Sequence, residues 1–148
     1  MTTPHAMLFN TVPNRDYLGF WPDDIFDPHR VVQFLELNKH DVAKVAGVSM
    51  ASVRFDQKIP RNVIDRIMEI ANICGLVAQF FKGDTVKTTL WFKTKNPLFG
   101  NITPRDMIRY GRYEKLRRFV MDALEENSAR GDATIAGGLG SGASASTQ

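Results

Sequence analysis

The sequence predicts an all-α fold, and three patterns of apolar residues carry this prediction. From Val63 to Phe81, after Pro60, apolar residues recur at steps of three and four, the spacing of one buried helix face. A second stripe of this kind runs from Leu116 to Leu124. Between residues 41 and 55, small and apolar residues have the spacing of two short helices that cross. A chain of 148 residues makes one domain or two very small ones.

Residues 1–26 are predicted to form an irregular arm, because prolines and aromatic residues alternate there. We expect Phe20 and Trp21 to be buried against the body of the protein or against a second subunit. Asp27 and Pro28 then predict a helix start, as cap and first-turn proline. The apolar face of this helix extends through Leu37.

Residues 41–55 have the spacing of a helix-turn-helix. Ala43 permits close approach of the two helices, Gly47 allows the sharp turn, and Ser49 can cap the second helix. We expect Val48 and Val53 to pack inward. An ordinary helical hairpin with a glycine turn is the alternative interpretation.

Two basic stretches suit a polyanion or an acidic partner, although solvated helix faces explain either stretch equally well. Residues 39–66 hold six cations and three acids, and residues 105–118 hold six cations and two acids. In a DNA-binding motif the second helix faces the major groove, and nearby cations meet phosphates. The candidate DNA-binding residues are Lys44, Ser49, Met50, Ser52, Arg54, Lys58 and Arg61.

The segment after the long helix contains several breaks. Gly83 is expected to end that helix. Residues 84–92 fit a strand or a short helix, and periodicity does not decide between them. Residues 94–102 read as a turn-rich loop, after which Thr103 caps a helix that Gly111 closes.

Composition changes after residue 127 to glycine, alanine, serine and threonine, which predicts a flexible tail. The predicted organisation is therefore an arm at 1–26, a helix-turn-helix domain with a long spine helix at 27–82, a second helical unit at 83–127 and a tail at 128–148.

No residue pattern supports catalysis, a metal or a cofactor. The three histidines are scattered without a cysteine pair or carboxylate at ligand spacing, and the C-terminal glycines neither follow a strand nor precede a helix. We therefore expect a protein that is not an enzyme, with no catalytic residues.

The expected location is the cytoplasm. The lone cysteine, Cys74, lies in an apolar run and fits a core position in a reducing compartment. The first residues lack the pattern of a secretory signal. The most apolar stretch, residues 70–81, is too short to cross a bilayer, so no membrane partner is expected.

One region resembles a known family. It contains Phe81-Lys-Gly-Asp84 and then Trp91-Phe-Lys-Thr-Lys-Asn-Pro-Leu-Phe-Gly-Asn-Ile-Thr-Pro-Arg-Asp-Met-Ile108. It resembles the toxin-binding domain of Xre/MbcA/ParS-type antitoxins, where a tryptophan precedes an Asn-Pro loop, a tight turn and a Thr/Ser-Pro helix start. An Xre-like helix-turn-helix lies upstream in that family, and the resemblance covers residues 28–126. Phe99 and Asn101 depart from the usual leucine and second glycine, and asparagine tolerates the left-handed backbone that such a turn requires.

The resemblance implies a bacterial type II antitoxin that neutralises a RES-domain toxin, a class whose members consume or transfer from NAD. It also implies a homodimer and repression of its own operon, with operator DNA bound by the antitoxin alone or only with the toxin. A stand-alone helix-turn-helix transcription regulator is the alternative. The candidate toxin-binding residues are Trp91, Asn96, Pro97, Gly100, Thr103 and Pro104, joined by the neighbouring Arg105 and Arg109. Most of these are expected to shape the surface that the toxin meets, and Trp91 also fits a core position.

Overall fold

A computed structural model describes residues 15–54 and 58–130, and every regular element in these two ranges is helical. The α-helices are α1 (Pro28–Phe34), α2 (Lys39–Ala46), α3 (Arg61–Phe80), α4 (Thr85–Phe92), α5 (Pro104–Arg109) and α6 (Tyr113–Arg130). Short 3-10 turns lie at Pro22–Asp24, Met50–Ser52 and Pro97–Phe99. Because these ranges contain no β-strand, the predicted all-α class is confirmed.

Helix α3 is the central element of the core, since it packs against α1, α2, α4 and α6. This confirms the predicted spine. Pro60 occupies its N-cap, and the chain leaves the helix through Lys82 and Gly83, both in the left-handed region with φ of 57° and 86°. The Gly83 N–H donates to the Ala78 carbonyl at 2.8 Å, an arrangement typical of a helix end. The buried apolar residues of α3 include Val63, Ile67, Ile70, Ala71, Ile73, Cys74 and Val77.

Helix α6 packs on α3 through the stripe predicted for it. Leu116, Val120 and Ala123 are buried, and Phe119 and Leu124 are partly buried against the same core. The helix continues to Arg130, past the predicted boundary at residue 127. The rest of the predicted tail, residues 131–148, lies outside the described residues.

The ambiguous segment 84–92 forms α4. Asp84 caps it by accepting the Lys87 N–H at 3.0 Å, and the Thr88 hydroxyl donates to the Asp84 carbonyl at 2.8 Å. This bond satisfies a hydroxyl that is fully buried, which lets a β-branched threonine occupy the inner face of a helix. Trp91 and Phe92 are buried on that face, whereas Val86 and Leu90 point outward.

Two helix caps predicted from the sequence are confirmed. Asp27 accepts the His29 N–H at 3.0 Å, and the Thr103 hydroxyl oxygen accepts the Asp106 N–H at 2.9 Å. The expectation that the first helix extends through Leu37 is wrong, because α1 ends at Phe34 and Glu36 adopts a left-handed φ of 53°.

The described part of the arm, residues 15–26, packs on α1. Phe20 is buried, with its ring centroid 5.7 Å from that of Phe34. Trp21 is only partly buried, and its ring centroid lies 4.9 Å from that of Phe26 with the rings tilted at 45°. The expected burial against the body is therefore confirmed for Phe20, and residues 1–14 lie outside the described residues.

Candidate functional site

The loop at residues 96–102 is closed by one buried side chain. Asn96 is 3% exposed, and its Oδ1 accepts the Leu98 N–H at 2.9 Å. Its backbone N–H donates to the Ile102 carbonyl at 3.0 Å, and its carbonyl accepts the N–H groups of Phe99 and Asn101 at 2.9 and 3.0 Å. Through these hydrogen bonds, Asn96 links the two ends of the loop to each other and to the residues between them.

The outer side of this loop is exposed. Gly100 and Asn101 both adopt left-handed backbone, with φ of 77° and 66°, so the expectation that asparagine keeps the turn is confirmed. Pro97 is exposed, and 57% of Leu98 is accessible to solvent. Sequence reasoning did not single out Leu98 as a contact residue, although its position between Asn96-Pro97 and a left-handed glycine is the signal that could have found it.

The inner side of the loop is anchored in aromatic residues. Phe99 is buried, with its ring 4.9 Å from Phe119 of α6 and 6.3 Å from Trp91 of α4. Trp91 is itself 6% exposed, and its indole Nε1 has no hydrogen-bond partner within the described ranges. Trp91 and Asn96 thus support the loop from inside, and they offer a partner little surface of their own.

Thr103, Pro104 and Arg105 also act within the chain. Thr103 caps α5, and Pro104 in its first turn is buried. The Arg105 guanidinium donates to the carbonyls of Leu35 and Glu36, the latter at 2.6 Å. These bonds hold the turn after α1, and sequence patterns could not reveal them because the partners are about seventy residues apart in the chain.

Arg109 joins α5 to α2 through an ion pair. Its Nη1 donates to Asp106 Oδ1 at 2.9 Å, and its Nε lies 3.3 Å from Oδ2 of Asp41. Asp41 is buried and also accepts the Asn38 N–H at 3.0 Å, so it closes the capping box of α2. The hydrogen bond to Asp106, with Asp41 beside it, raises the pKa of Arg109. Both carboxylates therefore engage the Arg109 guanidinium in contacts within its own chain.

The turn at Gly47 and the burial of two residues around it agree with the sequence prediction for residues 41–55. Helix α2 ends at Gly47, whose φ is 69°, and Ala43 and Val53 are buried as expected. Val48 is partly buried against the core.

The predicted second helix is wrong. Residues Met50–Ser52 form one 3-10 turn, and Ser49 makes no side-chain cap, since its Oγ lies 3.2 Å from the Ser52 Oγ instead. Val53 has extended backbone and is completely buried. A single helical turn is only marginally stable by itself. The free energy gained by burying the Val53 side chain from an extended backbone therefore exceeds what a longer helix would contribute here.

Most of the candidate DNA-binding residues face solvent near this turn. Met50 is 44% exposed, Ser52 is half-buried, and the Arg54 Nε donates to the Ala51 carbonyl at 3.3 Å. Arg61 pairs with Asp65 one turn along α3 at 3.1 Å. The exposed members are Lys44, Ser49, Met50, Arg54, Lys58 and Arg61.

No protein-family model matches this chain, and neither a curated protein nor a solved structure matches it. Across residues 15–54 and 58–130, no group of three histidine, cysteine or acidic side chains is placed to hold a metal ion. None of the described helices combines the length and apolar character needed to span a membrane.

Proposed function

We propose that the chain is an antitoxin that inhibits a RES-domain toxin by binding it through the loop at residues 96–102. The observation that carries this proposal is the exposed Leu98, held on a loop that the buried Asn96 closes. An apolar side chain presented by a preorganised loop loses little conformational entropy on binding, which favours a tight protein complex.

The candidate toxin-binding residues that are buried or engaged within the chain have an indirect role in this proposal. Trp91 and Phe99 fix the inner side of the loop, and Arg105 and Arg109 fix α5 against the earlier helices. A loop so placed covers the entrance of the toxin's active site and excludes NAD. The chain contributes no catalytic group of its own.

Co-expression with the product of the adjacent open reading frame tests this function. We expect the two proteins to co-purify and the NAD-consuming activity of the toxin to be lost in the complex. Leu98→Asp should weaken the complex about a hundredfold, because a charge replaces the apolar anchor. Met121→Ser alters another exposed apolar residue, on α6, and serves as the control. Separate migration of the two wild-type proteins, with the toxin active, contradicts the proposal.

A second candidate function is operator binding, either in support of autorepression or as a stand-alone regulator. Lys44, Lys58 and Arg61 are exposed cations that lie before and after the turn that follows Gly47 in the sequence, and exposed cations favour contacts with phosphates. Base reading would depend on Arg54, since the single 3-10 turn presents few other groups that pair with base edges.

A mobility-shift assay on the DNA upstream of the gene tests this second function, with and without toxin. We expect Lys58→Ala to weaken binding and to reduce its salt dependence, whereas Arg54→Ala should reduce discrimination between operator and unrelated DNA. Leu98→Asp is the matched control that should leave binding of DNA by the antitoxin alone unchanged. Absence of a shift in both conditions excludes this function.

A further inference from the structure

Helix α4 carries two exposed aliphatic side chains next to the candidate toxin-binding loop. Val86 is 75% exposed and Leu90 is 54% exposed, and a spacing of four residues places both on one helix face. We call these two residues the α4 patch. Together with Leu98 they are three of the seven large apolar side chains that are exposed in residues 15–54 and 58–130. A set of exposed apolar residues on adjoining elements indicates a contact surface.

Contacts beneath the surface hold α4 and the loop together. Leu90 and Leu98 are followed by Trp91 and Phe99, which are both buried with ring centroids 6.3 Å apart. The Thr94 hydroxyl donates to the Leu90 carbonyl at 2.6 Å, which fixes the chain as it leaves α4. The α4 patch and the loop therefore share one preorganised support, which lowers the entropy lost when a partner binds both.

Lysines lie beside the α4 patch in the same segment. From residue 82 to residue 102 the chain has four lysines and one acid, Asp84. Asp84 is engaged as the N-cap of α4, and Lys93 pairs with Glu36 at 2.9 Å. Lys87 and Lys95 are exposed, and no ion pair within the described ranges involves their ammonium groups. This positive charge around an apolar centre is complementary to an apolar surface with acidic side chains at its border.

The same charge is unsuited to the pocket in which a toxin binds NAD. Such a pocket has to stabilise the diphosphate of NAD, which requires cations or the N–H groups of a helix N-terminus. Lysines placed against it would meet charge of their own sign, which lowers affinity. A lysine-bordered patch therefore fits a part of the toxin outside this pocket.

We propose that the α4 patch binds an apolar groove with an acidic border on the toxin, outside its NAD pocket. This role presupposes the toxin-binding function proposed above and divides it between two elements. The α4 patch supplies affinity, and Lys87 and Lys95 speed association by attracting the acidic border. The loop that carries Leu98 covers the entrance of the pocket and excludes NAD.

Titration of the toxin with variants of the whole chain tests the α4 patch. V86Q/L90Q replaces both aliphatic side chains by a polar residue that favours helix. We expect it to raise the dissociation constant of the complex about ten- to hundredfold, as measured by isothermal titration calorimetry. At saturating concentration it should still abolish NAD consumption, because the loop is intact. M121Q makes the same change at an exposed apolar residue of α6 and should bind as the wild type does.

Charge reversal tests the role of the lysines separately. K87E/K95E should slow association about tenfold at low salt and reduce the salt dependence of the association rate, as measured by stopped-flow fluorescence. K44E/K58E makes the same change in net charge at exposed lysines outside this segment, and it should leave the association rate with the toxin close to that of the wild type.

Wild-type affinity of V86Q/L90Q, together with a weakened complex for Leu98→Asp, would overturn this inference and leave the proposed function standing. Loss of self-association in V86Q/L90Q with unchanged toxin binding would also overturn it, because the patch would then belong to a contact with a second copy. Residual NAD consumption at saturation would contradict the position outside the pocket. A wild-type chain that does not bind the toxin at all would refute the proposed function itself. Circular dichroism that matches the wild type would show that the variants are folded.

Discussion

Asn101 shows how one residue maintains the candidate toxin-binding loop. Its left-handed φ of 66° follows the left-handed Gly100, and its side chain is exposed. We predict that Asn101→Val lowers the free energy of unfolding by about 1–2 kcal/mol, because a β-branched residue is strained there. Asn101→Gly should change it by less than about 0.5 kcal/mol. Urea unfolding of the two variants measures the difference, and equal stabilities would contradict the assignment of backbone strain.

Cys74 provides a second prediction at this scale. Burial raises the pKa of its thiol, so the reactive thiolate is strongly disfavoured in the folded protein. We predict that a thiol reagent labels it at least about a hundredfold more slowly in buffer than in concentrated guanidinium chloride. The buried thiol should also make stability fall as pH rises past about 8.5, where the unfolded thiol ionises. Equal labelling rates in buffer and denaturant would show that the site is open.

Residue roles were predictable from the sequence where they depend on near neighbours. Asp27 and Thr103 cap helices through bonds two and three residues away, and such spacings are visible in the sequence. Arg105 and Arg109 were predicted to contact a partner, yet their polar contacts include residues of α2 and of the turn between α1 and α2. Nothing in a local pattern encodes a contact that the tertiary fold creates.

At the scale of elements, the predicted recognition helix shows the limit of motif spacing. The spacing of Ala43, Gly47 and Val53 correctly identified which residues are buried around the turn. It did not determine the backbone after Ser49, because Val53 reaches the core from an extended chain as well as from a helix. Helix α4 is the opposite case, where the Thr88 hydroxyl bond to Asp84 reconciles a β-branched sequence with a helix.

The ion pair between α2 and α5 yields a prediction about element packing. Arg109→Met leaves the Asp41 carboxylate, whose side chain is 7% exposed, without its cation. We predict a loss of about 1–3 kcal/mol in the free energy of unfolding, reduced by the partial exposure of Arg109. The double variant D41N/R109M should lose less than the sum of the single variants, since neither charge then remains.

A surface ion pair supplies the control for this measurement. Arg117 and Glu114 pair at 3.1 Å on α6 with about half of each side chain exposed. Arg117→Met should cost less than about 0.5 kcal/mol in the same urea titration. Additive effects of D41N and R109M would show that the two residues do not stabilise each other.

For the whole molecule, the core is continuous across the predicted boundary between residues 82 and 83. Helix α3, before the boundary, packs against α4 and α6 after it. Polar contacts cross it as well, from Lys93 to Glu36 at 2.9 Å and from Arg109 to Asp41. The sequence predicted the buried faces of α3 and α6 correctly, but amphipathic stripes do not say which stripe faces which. The division into segments therefore stays a prediction that fragments can test.

We predict that residues 1–82 do not fold cooperatively without the rest of the chain. The fragment retains α1 to α3, but loses the α4 and α6 surfaces that cover α3, whose Ile73 and Val77 are fully buried in the whole protein. When that face is exposed, the fragment loses the apolar burial that would compensate for the conformational entropy lost in ordering the backbone of so small a chain. Circular dichroism should show reduced helicity and a broad thermal transition for the fragment.

The full chain should unfold in a single transition, with circular dichroism and tryptophan fluorescence coincident. A sharp transition of the fragment would instead show that the helix-turn-helix region is an independent domain.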